Sequence, residues 1–394
     1  MSAPRELVLV ANARIPSERA QSLQVVQAAA AFARAGWSTT LLHARRRNTS
    51  VLPRGTDVFA HYDVPPGARP QIESIACIDW IDRVPRPLQY APARWQELSF
   101  SRNAAREISE RHRDAVVLSR EIECARTLLL AGRRNVFVEV HRVPGGTVRT
   151  AWLREVGEHA AGVIAISGGV REDLLALGLD TNKITVEHDA FEATRFANIP
   201  TRAEARARLG VEARAKLVAY TGGLLEWKGV DVLVDAARKL DGVTFVIAGG
   251  MPADVERLRQ RARGASNVRI DGFQAPGKVL DYLAAANIGV VPNRSQPAIS
   301  ARYTSPLKVF EAMAVGLPLV ASDVPSLREL LNHDVDAWLV APDDAHALAV
   351  GLRKLLDDDA LLARLGARLR TRASEHTSDA RARRLLAWIA SKSL

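Results

Sequence analysis

Apolar positions along this 394-residue chain alternate between short continuous runs and stripes at helical spacing. Leu7–Ala11 reads as a strand, Ala20–Ala35 as a helix closed by Gly36, and Thr39–His43 as the next strand. A strand–helix–strand unit of this kind implies a right-handed crossover, the building block of a parallel sheet. Further strand-like runs follow at Ala115–Leu118, Val136–Val140, Gly162–Ile166 and Ile184–Glu187, most of them separated by helical stretches. Between Ile75 and Arg94 several prolines interrupt the pattern and no clean period emerges.

The composition breaks around Phe191–Ala203, where Pro200 precedes an Arg/Ala-rich helix ending at Leu209-Gly210. The alternation then restarts, with strands at Lys216–Thr221, Thr244–Gly249, Val268–Asp271 and Ile288–Pro292. Helices at Val230–Leu240, Ala253–Arg263 and Gly277–Ala286 separate them. After Val340 the pattern is helical, over Ala345–Leu356, Asp359–Ser374 and Ala380–Ser391. Two successive alternating halves predict an α/β protein of two Rossmann-like, doubly wound domains. No short-period repeat is present, which argues against a solenoid.

Length agrees with two domains of roughly 190 residues each. Apolar residues at 47% and charged residues at 25% fit a soluble globular chain. No apolar run approaches the ~20 residues that a spanning helix needs. Met1–Glu6 leads directly into the first strand, so no signal peptide is expected. Cys77 and Cys124 lack metal-ligand spacing, and reduced thiols in a cytoplasmic protein are the expectation.

The net charge of +10 is partly a habit of composition, since arginine and alanine are scattered along the whole chain. The clusters Arg45-Arg46-Arg47 and Arg133-Arg134 are short and lack interleaved aromatics, so no nucleic-acid partner is expected. Both lie in the first half, which tilts the reading toward a peripheral contact with an anionic membrane, at the inner face of the cell membrane.

Ser305–Ser322, S-P-L-K-V-F-E-A-M-A-V-G-L-P-L-V-A-S, is the segment richest in chemistry. Ser305 is a good N-cap, Pro306 suits the first helical position, and Gly316 can close the helix before a short apolar strand. The helix start offers free N–H groups to an anion. Lys308 stands in its first turn and Glu311 follows three residues later, a pairing suited to a diphosphate and a ribose. A second segment, Tyr220–Asp231, ends a strand in Gly222-Gly223 and places Lys228 just before a helix, at the edge where open α/β sheets bind ligands. Each segment alone also fits a plain structural role, as a capped helix or a strand–helix turn with an exposed lysine. If their strands share one sheet, both open on one crevice.

These runs, together with F-V-I-A-G-G and I-D-G-F-Q between them, resemble the carboxy-terminal half of GT-B retaining glycosyltransferases of family 4. The resemblance extends over most of the chain, through E-V-H at Glu139–His141, A-I-S at Ala165–Ser167, I-T-V-E-H-D-A-F at Ile184–Phe191 and Phe196. It implies two facing Rossmann-like domains with a cleft between them. The first, an acceptor domain, spans 1–192; a nucleotide-sugar donor domain spans 193–378; a carboxy-terminal helix at 379–394 crosses back to the first.

By the same resemblance Glu311 holds the donor ribose, and Lys228, Lys308 and the backbone N–H groups of Leu307 and Lys308 meet the diphosphate. Ser305 and Pro306 open that helix, Phe273 and Gln274 pack the base, and Gly222 and Gly223 leave room for the donor. His141 touches the transferred sugar, so His141, Lys228 and Glu311 form the implied catalytic set. Arg14, Ser17 and Arg19, in the loop Asn12–Arg19, suit an acceptor. His188 and Asp189 fit a hinge as well as a catalytic role. Two positions depart from the pattern. Tyr303 stands where the family has its first glutamate, and Gly223 where it has an arginine, leaving Lys308 or Arg302 to supply that cation.

The implied reaction is transfer of a hexose-type sugar from a nucleoside-diphosphate sugar to an acceptor hydroxyl, with retention, in glycan or glycolipid biosynthesis. No metal or cofactor is implied. The acidic turns Asp334-Val335-Asp336 and Asp357-Asp358-Asp359 read as solvated turn residues. A GT-B sugar-nucleotide epimerase and a catalytically silent nucleotide-sugar-binding scaffold remain the alternatives at this stage.

Overall fold

The computed structural model describes residues 5–17, 20–47 and 57–392. They divide into two compact units, one built from stretches within Met1–Ile166, Val170–Glu192 and Ser378–Leu394, the other from Ser167–Gly169 and Ala193–Thr377.

Unit 1 is a seven-stranded parallel sheet: β1 (Glu6–Ala11), β2 (Ser38–Arg45), β3 (Gln71–Ala76), β4 (Val116–Ser119), β5 (Val136–Val140), β6 (Gly162–Ala165) and β7 (Ile184–Val186). Their spatial order is β3-β2-β1-β4-β5-β6-β7. The central strands are buried throughout, as expected where helices cover both faces of a parallel sheet. The helix Ala20–Arg34 follows β1 and buries Val25, Val26, Ala29 and Ala30.

The carboxy-terminal helix Ser378–Lys392 packs against Ala20–Arg34 in this same unit, burying Leu385, Leu386 and Ile389. Arg34 ties it down through Asp379 at 2.7 Å and also pairs with the buried Glu192 at 2.7 Å. Trp388 meets Phe137 edge-on at 5.7 Å and fills the space left by Gly162, where a Cβ would lie 2.3 Å from the indole.

Unit 2 is a six-stranded parallel sheet of β8 (Lys216–Thr221), β9 (Val243–Ala248), β10 (Val268–Gly272), β11 (Ile288–Val291), β12 (Leu319–Ser322) and β13 (Trp338–Val340). The order is β10-β9-β8-β11-β12-β13. Strand order therefore reverses between β8 and β11, the switch point at which open α/β sheets leave a crevice beyond their carboxyl ends. In unit 1 the corresponding reversal lies between β1 and β4.

Several expectations need correction. The helix after β11 runs Leu307–Val315 with Pro306, not Ser305, as its N-cap, and no side chain caps it. Pro306 has extended ψ of 115° at φ −79°, which its ring permits, so the helix begins one residue later. Gly316 does close it in the left-handed conformation, at φ +69°. Strand β3 and the helix Tyr90–Arg111, neither of them expected, flank the Ile75–Arg94 stretch in which no clean period emerged and each overlaps its end.

The acidic turns are not simply solvated. Asp336 is fully buried, bound by Arg372 at 2.9 Å and by Asn332, and Asp358 caps the next helix through Leu361 N–H at 2.9 Å. These carboxylates tie unit 2 together.

Candidate functional site

The loops after β8 and β11 meet at the switch point of unit 2. Strand β8 ends at Thr221, and Gly222 turns the chain at φ +132°, a conformation that disfavours any side chain. Its N–H is held by the Ala248 carbonyl at 2.9 Å. Gly249 packs so tightly on it that a Cβ there would sit 2.2 Å from the Gly222 oxygen. Gly223 faces open space, and its carbonyl accepts the Tyr220 hydroxyl at 2.7 Å.

Lys228 ends the short turn Glu226–Lys228. That turn is pinned by the Trp227 carbonyl, which accepts from Ser300 Oγ at 2.7 Å and Arg294 N at 3.2 Å. Gly229 allows the close approach, since a Cβ there would collide with the Pro292 carbonyl. The Lys228 ammonium lies 4.5 Å from the centre of the Trp227 ring, and burial pushes its pKa down to about 8.

Lys308 is 8% exposed, and its Nζ has no hydrogen-bond partner among the described residues. The ammonium sits 3.7 Å from the Tyr220 ring centre, beside Gly222. Burial holds its pKa well below the usual lysine range, the nearby Lys228 ammonium depresses it further, and Glu311 pulls the other way. Two ammonium groups thus converge where neither has a carboxylate bonded to it. The Leu307 and Lys308 N–H groups begin the adjacent nine-residue helix. Such an arrangement is starved of an anion.

Glu311, one turn into that helix, accepts from Arg195 Nη1 at 3.5 Å, with both side chains largely buried. Sequence reasoning missed Arg195, which lies 116 positions away with no local signal. Phe273, just past β10, is 54% exposed, and Gln274 Nε2 donates to the Asp271 carbonyl at 3.1 Å. Ser305 is buried and Pro306 forms the cap. Arg302 lies over the ring of its neighbour Tyr303 at 5.6 Å, so Lys308 is the cation grouped with Lys228.

In unit 1, His141 follows β5 and is about one-third exposed. Its Nε2 lies 2.8 Å from Glu139 Oε1 and also contacts the Arg120 guanidinium. Glu139 is buried between Arg120 Nη2 at 2.7 Å and Arg381 Nη2 at 2.8 Å. Burial alone would raise the Glu139 pKa, but the two guanidinium groups and His141 hold it well below the usual carboxylate range.

Arg14 and Ser17 are buried. Arg14 pairs with Asp82 at 2.6 Å, and the Ser17 N–H donates to the Tyr62 hydroxyl at 2.6 Å. Arg19 lies outside the described residues. The His188 carbonyl accepts from Arg381 Nε at 2.7 Å, and burial lowers the pKa of its ring.

Two Rossmann-like units of parallel sheet, the second with an anion-seeking switch point, define the GT-B class of fold. The solved structure of HepE from Anabaena in complex with UDP-glucose shares it, with a TM-score of 0.73 at 17% identity over 98% of this chain and 99% of that one. Residues 215–358 match the family model for glycosyl transferases group 1. This chain is therefore a GT-B-fold protein whose residues 215–358 are similar to the glycosyl transferases of group 1.

Among curated relatives, it is 29% identical over 268 residues to the D-inositol 3-phosphate glycosyltransferase of Kineococcus radiotolerans, covering 62% of this chain and 60% of that protein. It is also 29% identical over 204 residues to the amylovoran biosynthesis glycosyltransferase AmsK of Erwinia amylovora, covering 50% and 48%. The matched stretch thus spans between about half and three-fifths of these relatives' own length.

Proposed function

We propose that this chain moves a hexose-type sugar from a nucleoside-diphosphate sugar to an acceptor hydroxyl, with retention and without a metal, in glycan or glycolipid biosynthesis. The observation that supports it best is the pair of ammonium groups, Lys228 and Lys308, converging without a bonded carboxylate at the β8/β11 switch point beside a helix start. A diphosphate supplies the missing anion. Glu311, steadied by Arg195, is suited to accept hydrogen bonds from ribose hydroxyls. The exposed Phe273 ring offers a face to the base, and Gly222-Gly223 leaves space beside the diphosphate.

In the reaction, the bond from the anomeric carbon to the diphosphate oxygen breaks and its electron pair stays on that oxygen. The acceptor oxygen bonds to the same face of the anomeric carbon, and its proton passes to the departing oxygen. Lys228, Lys308 and the Leu307 and Lys308 N–H groups oppose the charge that develops, which is preorganised electrostatic stabilisation. His141 is read as the unit 1 group that meets the transferred sugar. The relatives named above, acting in amylovoran biosynthesis and on D-inositol 3-phosphate by their names, are consistent with a carbohydrate acceptor.

A silent nucleotide-sugar binder is the second reading, favoured by Tyr303 in place of an acid. Calorimetry with UDP, GDP and ADP, followed by turnover of the matching sugars, separates the two. The proposal expects binding and turnover, with retention read from the anomeric proton of the product. Lys228→Ala and Glu311→Ala should each reduce turnover by about 100-fold or more while the fold persists. Full activity in either variant removes this site assignment, and binding without turnover across an acceptor panel supports the silent binder.

A further inference from the structure

Fourteen large apolar side chains of the described residues stand exposed, and six of them fall within residues 78–98 of unit 1. These are Ile78, Trp80, Leu88, Tyr90, Trp95 and Leu98, with Tyr90 at 79% and Leu88 at 65% exposure. Scattered apolar residues need no explanation, but a concentration of this kind marks an interaction surface.

The segment is built, not loose. The Ile78 N–H donates to Ser99 Oγ at 2.9 Å, and Asn103 Nδ2 donates to the Ala76 carbonyl at 2.9 Å, fixing the chain after β3 to the helix Tyr90–Arg111. Trp80 and Trp95 meet edge to face at 6.1 Å. Along the helix, Gln96, Phe100, Ala104 and Ile108 form the buried stripe. Trp95 and Leu98 stand exposed at i and i+3 with Arg102 at i+7, so the outer face of this helix is apolar as far as Leu98 and charged beyond it.

Charge selects the occupant. The carboxylates within the segment are already neutralised: Asp79 by Arg46 at 3.3 Å, Asp82 by Arg14, and Glu97 by Arg94. Arg45, Arg47, Arg83 and Arg102 are exposed, and among the described residues none of their guanidinium groups has a carboxylate partner, although the Arg47 backbone N–H donates to Asp79 at 3.1 Å. Arg45 and Arg46, with His43 and Ser74, also line a cavity of about 650 Å³ at the carboxyl ends of β2 and β3. Aromatic rings interleaved with unneutralised arginines match the interfacial layer of a bilayer, where indole and phenol rings sit at headgroup level and guanidinium groups meet anionic lipid. No described helix is long and apolar enough to cross a membrane.

We propose that residues 78–98, with Arg45, Arg47, Arg83 and Arg102, form a docking face for the surface of an anionic lipid bilayer. This goes beyond the glycosyl-transfer reading and does not depend on it, because the vesicle readout needs no turnover. The test is flotation of the full chain with phosphatidylglycerol-containing and with pure phosphatidylcholine vesicles.

Wild-type protein is expected to float with the anionic vesicles and to be released by high salt. Trp80→Ser/Trp95→Ser should bind them about tenfold more weakly with its melting temperature unchanged, since both rings are half exposed. Arg83→Gln/Arg102→Gln provides an independent variant that should lose the preference for anionic lipid. Equal partition onto both vesicle types, or undiminished binding by both variants, overturns the proposal. So does wild-type protein that ignores vesicles but forms a dimer which the tryptophan variant cannot form, because a second copy would then cover this face.

Discussion

Replacing Arg381 with leucine removes one of two guanidinium groups that hold a buried carboxylate. Glu139 and Arg381 are each less than one-tenth exposed, and their atoms meet at 2.8 Å. Arg120 remains on the other carboxylate oxygen at 2.7 Å, so the charge left behind is half compensated. Breaking a buried pair by removing one partner costs roughly 3–5 kcal/mol. The retained Arg120 lowers this, while loss of the Arg381 bond to the His188 carbonyl adds about 1 kcal/mol. The expected cost to unit 1 is therefore about 3 kcal/mol at neutral pH.

The pH dependence has a definite sign. Glu139 has a depressed folded-state pKa, so its contribution is present above the ordinary carboxylate pKa and is lost as pH falls toward the folded value. Arg381→Leu should thus keep its full penalty above about pH 5 and lose it progressively as pH falls below about 4 toward the depressed folded value. Denaturation followed through the unit 1 transition at neutral and acid pH supplies the measurement, with Glu139→Gln and the double variant completing a cycle. A coupling energy below about 0.5 kcal/mol, or a penalty independent of pH, would refute the reasoning.

The two lysines make a second prediction. Buried ammonium groups with lowered pKa values should take up protons when a diphosphate binds, so calorimetry of UDP in buffers of different ionisation enthalpy should show net uptake. Affinity should fall as pH rises above about 8, and the Lys308→Met protein should lose much of the uptake; a buffer-independent heat contradicts this. Without ligand, the lowered Lys228 pKa makes folding stability rise between about pH 8 and 10, because the unfolded lysine then holds more protons. Gly162→Ala places a methyl group 2.3 Å from Trp388 and should destabilise unit 1 by about 1–3 kcal/mol, an effect that Trp388→Leu relieves in a thermal melt. Asp336→Ala removes the buried carboxylate that Arg372 meets at 2.9 Å, leaving it the Leu330 carbonyl and Glu375, and should cost about 2–4 kcal/mol in unit 2, measured by urea titration, with wild-type stability unaffected by a chelator.

How much of this was readable depends on how local the cause is. Val136–Val140 has the same bounds in pattern and structure because a fully buried central strand needs only a continuous apolar run. Strand β3, Q-I-E-S-I-A, is an edge strand with mostly solvated side chains, and its mixed polarity hid it. The helix Tyr90–Arg111 was hidden by Pro92, harmless within a first turn, and by Trp95 and Leu98, which blur the stripe by facing outward. At the site, Gly222, Lys228, Lys308 and Glu311 were legible because each belongs to a loop–helix motif. Arg195 and Arg381 were not, since their partners lie 116 and 242 positions away and only the folded chain brings them together.

One of the two positions at which the sequence departs from the pattern it resembles shows why residue-by-residue reading understates a site. Gly223 replaces an arginine and leaves open space, which by itself suggests a weakened anion site. Lys308 offsets that loss from a different element. Its stem passes 3.5 Å from where a Gly222 Cβ would lie, and its ammonium rests on Tyr220 near Lys228. A bulky side chain at Gly222 would compete for the same room. Gly222 and the buried lysine are thus one solution, in which charge reaches the switch point from the helix Leu307–Val315 as well as from Lys228 in the turn after β8. The cost of that solution is a strongly desolvated ammonium, and an anion in the crevice is the partner that relieves it.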